Sequence, residues 1–93
     1  MAADPPNTRR WERSCVDFSV KIAIYQDVEK VLIPGHVTEL SEGGMSVYVG
    51  MSLKPGDLLE VEFEVPVRRT VQAVVRTRDG FTFGLEFVRP LAE

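Results

Sequence analysis

Residues 59–65 read Leu-Glu-Val-Glu-Phe-Glu-Val. Leu59, Val61, Phe63 and Val65 alternate with Glu60, Glu62 and Glu64. Successive side chains of a strand point to opposite faces, so a strict period of two predicts a strand with one face in a core and the other, acidic, in water. The same period recurs on both sides of this stretch. Upstream, Val16, Phe18, Val20, Ile22 and Ile24 alternate with Asp17, Ser19, Lys21 and Ala23, and Met45, Val47 and Val49 alternate with Ser46 and Tyr48. Downstream, Val71, Ala73 and Val75 mark a fifth strand, and Phe81, Phe83, Leu85 and Phe87 a sixth. Lys30 to Leu40 supplies the remaining one, interrupted by Pro34-Gly35, which predicts an edge position or a bulge because proline cannot donate to a ladder.

Turn chemistry separates these runs. Residues 26–29 make the first turn and Ser41 to Gly44 the second. Lys54-Pro55-Gly56-Asp57 fits a type II turn, with proline second and glycine third. Asp79-Gly80 carries the two-residue hairpin signal of the type I′ kind. Six short strands, turn residues between them and no helical periodicity give an all-β chain. An open sheet leaves edges exposed, so a six-stranded antiparallel β-barrel is expected.

The 93 residues suffice for one domain. Met1 to Thr8 is polar with Pro5-Pro6, a flexible tail; the domain is expected over residues 9–90, with a flexible arm at 9–13. Hydrophobic residues make up 44% and charged residues 27%, a globular profile. No apolar run reaches the ~20 residues of a membrane span, and the N-terminus lacks the apolar stretch of a secretory signal, so membrane insertion and export are not expected. Cys15 is the sole cysteine and His36 the sole histidine. That excludes an internal disulfide and a Cys/His metal cluster, and makes the cytoplasm the default compartment. A net charge of −3 argues against bulk nucleic-acid binding.

Catalytic chemistry finds no foothold: there is no nucleophile elbow, and the glutamates at 60, 62 and 64 read as a solubilising stripe. His36 reads as a turn or strand-end residue, and Cys15 as a small, partly buried side chain. No catalytic residue, metal or cofactor is expected. Two features remain. Arg9, Arg10 and Arg13 flank Trp11 just before the first strand. Arg9 and Arg13 fall on one side of an extended or helical chain, and paired guanidinium forks suit phosphate oxygens or the acceptor edge of guanine. Read alone, the cluster better fits a solvated basic tail with no fixed partner, since short basic clusters are common. Glu39-Leu40-Ser41-Glu42-Gly43-Gly44 offers backbone N–H groups and a hydroxyl between strands. Alone, it better fits an ordinary hairpin turn.

Together, Arg9-x-x-x-Arg13 and Glu39-x-Ser41-x-x-Gly44 resemble the PilZ domain pattern, an RxxxR arm followed roughly 20–30 residues later by (D/N)xSxxG. Met45 to Val49, Leu53 to Asp57 and Phe83-Gly84-Leu85-Glu86-Phe87 resemble that family's following strand, turn and closing strand. The resemblance covers about Arg9 to Val88. It implies a barrel of the split-barrel type and a receptor for the bacterial second messenger cyclic di-GMP, often bound as a stacked pair. It implies that Arg9 and Arg13 clasp phosphates and guanine edges with Arg10 assisting, that Ser41 hydrogen-bonds the ligand, and that Gly44 admits it closely. Glu39 departs from the family's Asp or Asn and carries its carboxylate one methylene further out. This favours the alternative of a PilZ-like adaptor that has lost its ligand and acts through protein contacts. The family's C-terminal helix is absent here or reduced to a stub.

Overall fold

The structure, a computed structural model, describes residues 14–26, 28–64, 67–89 and 91. Six strands follow one another: β1 (Ser14–Gln26), β2 (Glu29–Leu40), β3 (Gly44–Val49), β4 (Leu58–Phe63), β5 (Arg69–Asp79) and β6 (Thr82–Phe87). Every pairing is antiparallel. The order β1-β2-β3-β6-β5-β4 closes on itself into the expected six-stranded barrel.

The alternating residues become its core. Val20, Ile22, Val37, Val47, Val61, Val75 and Phe83 are fully or almost fully buried, one or two from each strand. Phe63 stacks against both Phe18, with centroids 6.2 Å apart, and Phe87, at 6.4 Å, so three rings close the barrel at one end. No side-chain polar atom is buried without a partner among the described residues. Glu62, on the wet face of β4, meets Lys30 at 3.0 Å, and Glu64, just past its end, meets Lys21 at 3.8 Å.

Pro34 stands where proline is tolerated. The β2–β3 ladder ends at Gly35↔Val49, so Pro34 lies one residue beyond it, paired with Lys21 of β1 but with no β3 residue opposite. The Lys54–Asp57 turn has the expected form: Gly56 has φ +98°, and Asp57 N–H donates to Lys54 O at 2.9 Å.

Four sequence expectations are corrected. The last hairpin turns on Gly80-Phe81, not Asp79-Gly80, because Asp79 pairs with Thr82. A bulge between Val75 and Thr77 is the cause. Without it the pairing would run on to Asp79 and Phe81, leaving one residue to reverse the chain. Phe81 is therefore a turn residue, 44% exposed, rather than core. His36 is neither in a turn nor at a strand end. It sits mid-strand in β2 between Ser19 and Tyr48, its Nε2 2.6 Å from Asp17 Oδ1. Cys15 is exposed, not partly buried.

Candidate functional site

Strand polarity gathers one end of the barrel. The first residue of β1, the last of β2, the first of β3 and the last of β6 meet there: Ser14 pairs with Leu40, Leu40 with Met45, and Gly44 with Glu86. The Ser41–Gly44 turn caps this end, beside the start of β1.

Ser41 organises the turn. Its backbone N–H donates to Gly44 O at 2.9 Å. Its Oγ accepts from Gly43 N–H at 3.2 Å and Gly44 N–H at 3.1 Å, and donates to Gly44 O at 3.2 Å. A hydroxyl has one proton and two lone pairs, so the turn itself engages all of them. The hydroxyl thus turns inward and fixes the backbone; a ligand acceptor would have to displace its bond to Gly44 O, and a ligand donor one of the two N–H groups.

Gly44 has an equally local reason to be glycine. A Cβ there would lie 2.2 Å from Leu85 O, because β3 crosses β6 at close quarters. Glu39 is half-buried on β2, opposite Cys15 of β1 and Ser46 of β3, with a bulge between Val37 and Glu39 setting its register. The structure thus brings Glu39, Ser41 and Gly44 together along one bend. Arg9, Arg10 and Arg13, with Trp11 and the tail at 1–8, lie outside the described residues. Ser14, which follows Arg13 in the chain, stands opposite Leu40, the neighbour of Ser41.

The C-terminal segment, for which sequence reading offered only a stub, is part of this end. Phe87 N–H donates to Gly43 O at 2.9 Å, and Leu91 N–H to Glu42 O at 2.7 Å. Val88 N–H donates to Gln72 O at 2.9 Å, and Arg69 Nη2 to Leu91 O at 3.0 Å. Val88, Arg89 and Leu91 therefore belong to a strap, without a helix among the described residues, that ties the capping turn to β5. The partly buried Leu91, apolar and just past Pro90, is the one signal in the sequence that marked it. The described residues hold no group of three or more His, Cys, Asp or Glu side chains suited to a metal ion, and no helix long and apolar enough to cross a membrane.

The PilZ domain family model matches residues 7–93. The chain belongs to the PilZ domain family. Solved structures agree at the level of fold. The PilZ domain with c-di-GMP of YcgR from Escherichia coli superposes with TM-score 0.66 at 17% identity, over 88% of this chain and 79% of that one. The inhibitor of motility MotI/DgrA from Bacillus subtilis superposes with TM-score 0.65 at 24% identity, over 92% of this PilZ chain and 45% of MotI. No curated protein sequence matches the chain.

Proposed function

We propose that this PilZ domain is a cyclic di-GMP receptor of the bacterial cytoplasm, a binding and effector module rather than an enzyme, which passes its signal to a protein partner. The observation that carries this reading is the Ser14↔Leu40 pairing, which sets the residue after Arg13 opposite the neighbour of Ser41. The related YcgR domain, described with c-di-GMP, supports the ligand's identity. In this reading Arg9 and Arg13 clasp the ligand's phosphates and the N7 and O6 acceptors of its guanines. Arg10 assists, and Glu39 accepts a guanine N–H. Ser41 and Gly44 hold the bend against which the ligand packs, and Ser41 Oγ exchanges its bond to Gly44 O for one to the ligand. The ligand draws the arm onto the barrel, an order-creating switch.

Calorimetric titration with cyclic di-GMP tests it. Arg13→Ala is expected to lose at least ~1.5 kcal/mol, the low end for hydrogen bonds to charged groups. Trp11 emission is expected to change on saturation. An unchanged affinity in Arg13→Ala, or no heat at all with the native chain, overturns the clasp.

A second reading has Glu39 in its favour: an adaptor without ligand, acting through protein contacts. Glu39→Asp separates the two. It tightens binding if the longer side chain merely misplaces the carboxylate by about 1 Å. It restores nothing if the domain works without ligand.

A further inference from the structure

Between the first residues of β5 and the C-terminal strap lies a cleft that takes no part in the Ser41 turn. Its volume is about 360 Å³, and Arg69, Thr70, Val71, Gln72, Val88 and Arg89 line it. Its walls are backbone fixed at both ends. Val88 N–H bonds to Gln72 O, and the Arg69 guanidinium bonds to Leu91 O, whose residue is anchored in turn on Glu42. The strap continues the line of β6, so the cleft opens on the side of β5 away from β4, whose Glu60 and Glu62 pair with Gln72 and Thr70 across the opposite edge.

The lining has a definite chemistry. Arg69 and Val71 project from one face of β5 and Thr70 and Gln72 from the other, Arg89 joins them from the strap, and no carboxylate stands among the described lining residues. In a chain of net charge −3 this is a local reversal of sign. Guanidinium forks match phosphate oxygens two at a time, and Arg69 and Arg89 bring two of them to the cleft. Val71, half-buried, and Val88 add apolar wall. The volume lies in the range of roughly 300–1,000 Å³ typical of small-molecule sites, far more than a bare anion fills.

We propose that this cleft binds a small organic phosphate of about mononucleotide size, its phosphate between Arg69 and Arg89 and its body against Val71 and Val88. Among the described residues the segment meets the Ser41 turn through the bonds from Leu91 to Glu42 and from Phe87 to Gly43, so occupancy here bears on the capping turn through the strap.

The test uses the full chain and AMP, with adenosine and inorganic phosphate as controls. In amide proton–nitrogen spectra, AMP is expected to move the resonances of Thr70, Val71, Gln72 and Val88, with adenosine inert and inorganic phosphate weaker than AMP. Arg89→Gln is expected to weaken AMP binding at least tenfold. Arg89 is exposed, so the fold survives, which an unchanged spectrum away from the cleft verifies. Arg9→Gln with Arg13→Gln is expected to leave these shifts intact, which keeps the cleft distinguishable from the proposed cyclic di-GMP site. The proposal is overturned if AMP leaves those four resonances in place, or if Arg89→Gln binds as the native chain does. It is also overturned if the arm variant abolishes the shifts, or if inorganic phosphate or adenosine matches AMP.

Discussion

Two residues of the PilZ signature, Ser41 and Gly44, have work to do before any ligand arrives. The Ser41 hydroxyl accepts from two backbone N–H groups of the turn, and Gly44 lets β3 pass within contact of the Leu85 carbonyl. A methyl group 2.2 Å from a carbonyl oxygen cannot be accommodated without moving β3 or β6. Gly44→Ala is therefore expected to cost about 1–3 kcal/mol of folding stability, the usual range for forcing an extra carbon into a packed site. Urea unfolding measures it; a stability equal to the native chain's would show that β3 has room to move. The experiment matters for function, since a ligand-binding defect in a Gly44 variant signifies nothing until its fold is checked. The two phenylalanines flanking the last turn make a paired test. Phe83 is fully buried and Phe81 lies in the turn, with the Arg78 guanidinium near both rings. Phe83→Ala is expected to lose about 3–5 kcal/mol, as large core truncations do, and Phe81→Ala less than about 1 kcal/mol. Equal losses would return Phe81 to the core.

At the scale of elements, the apolar alternation made five of the six strands legible, because one wet and one dry face impose a period of two; Lys30 to Leu40 was read as the remaining strand between two turns. The bulges were not legible. Whether Arg76 is an extra residue depends on which residue of β6 faces Val75, a property of two strands and not of either alone. That invisible insertion moved the turn by one position and carried Phe81 out of the core. The bend holding Glu39, Ser41 and Gly44 was readable as a motif, but the inward use of the Ser41 hydroxyl was not, since an identical Ser-x-Gly-Gly string can present its oxygen either way. The strap was hidden for another reason: apart from the bond donated by the Arg69 guanidinium, its bonds are made by backbone groups, which every sequence possesses. Between elements, Lys30 of β2 reaches Glu62 of β4, and this hydrogen bond holds the Lys30 ammonium above its ordinary value of 10.5. A raised lysine pKa means that the protonated form favours the folded state. The contribution is complete below 10.5 and fades as pH climbs through the raised value. Both groups meet solvent, so the effect on stability is small. Nitrogen NMR of the lysine side chains is expected to show Lys30 titrating above 10.5 and returning toward that value in Glu62→Gln. A Lys30 titration indifferent to Glu62→Gln would exclude the bond in solution.

Across the whole molecule, the joints between strands are unequal. β1 and β2 pair from Ser14↔Leu40 to Gln26↔Glu29, while β1 and β4 meet only at Lys21↔Glu62, Ile22↔Val61 and Ala23↔Glu60. Beyond those three pairs the tip of the β1–β2 hairpin overhangs the barrel, with Tyr25 61% and Val28 95% exposed. Local opening follows the line of fewest protected backbone bonds. Amide hydrogen exchange is expected to be faster at residues 21–23 and 60–62, wherever their N–H groups point across that joint, than at 45–47 and 83–85. Uniform protection around the perimeter would contradict this. Such a molecule is a rolled sheet fastened by a short clasp rather than a seamless tube. A partner that unhooked those few rungs would reach the aromatic stack of Phe18, Phe63 and Phe87 from the side, without undoing any of the longer ladders.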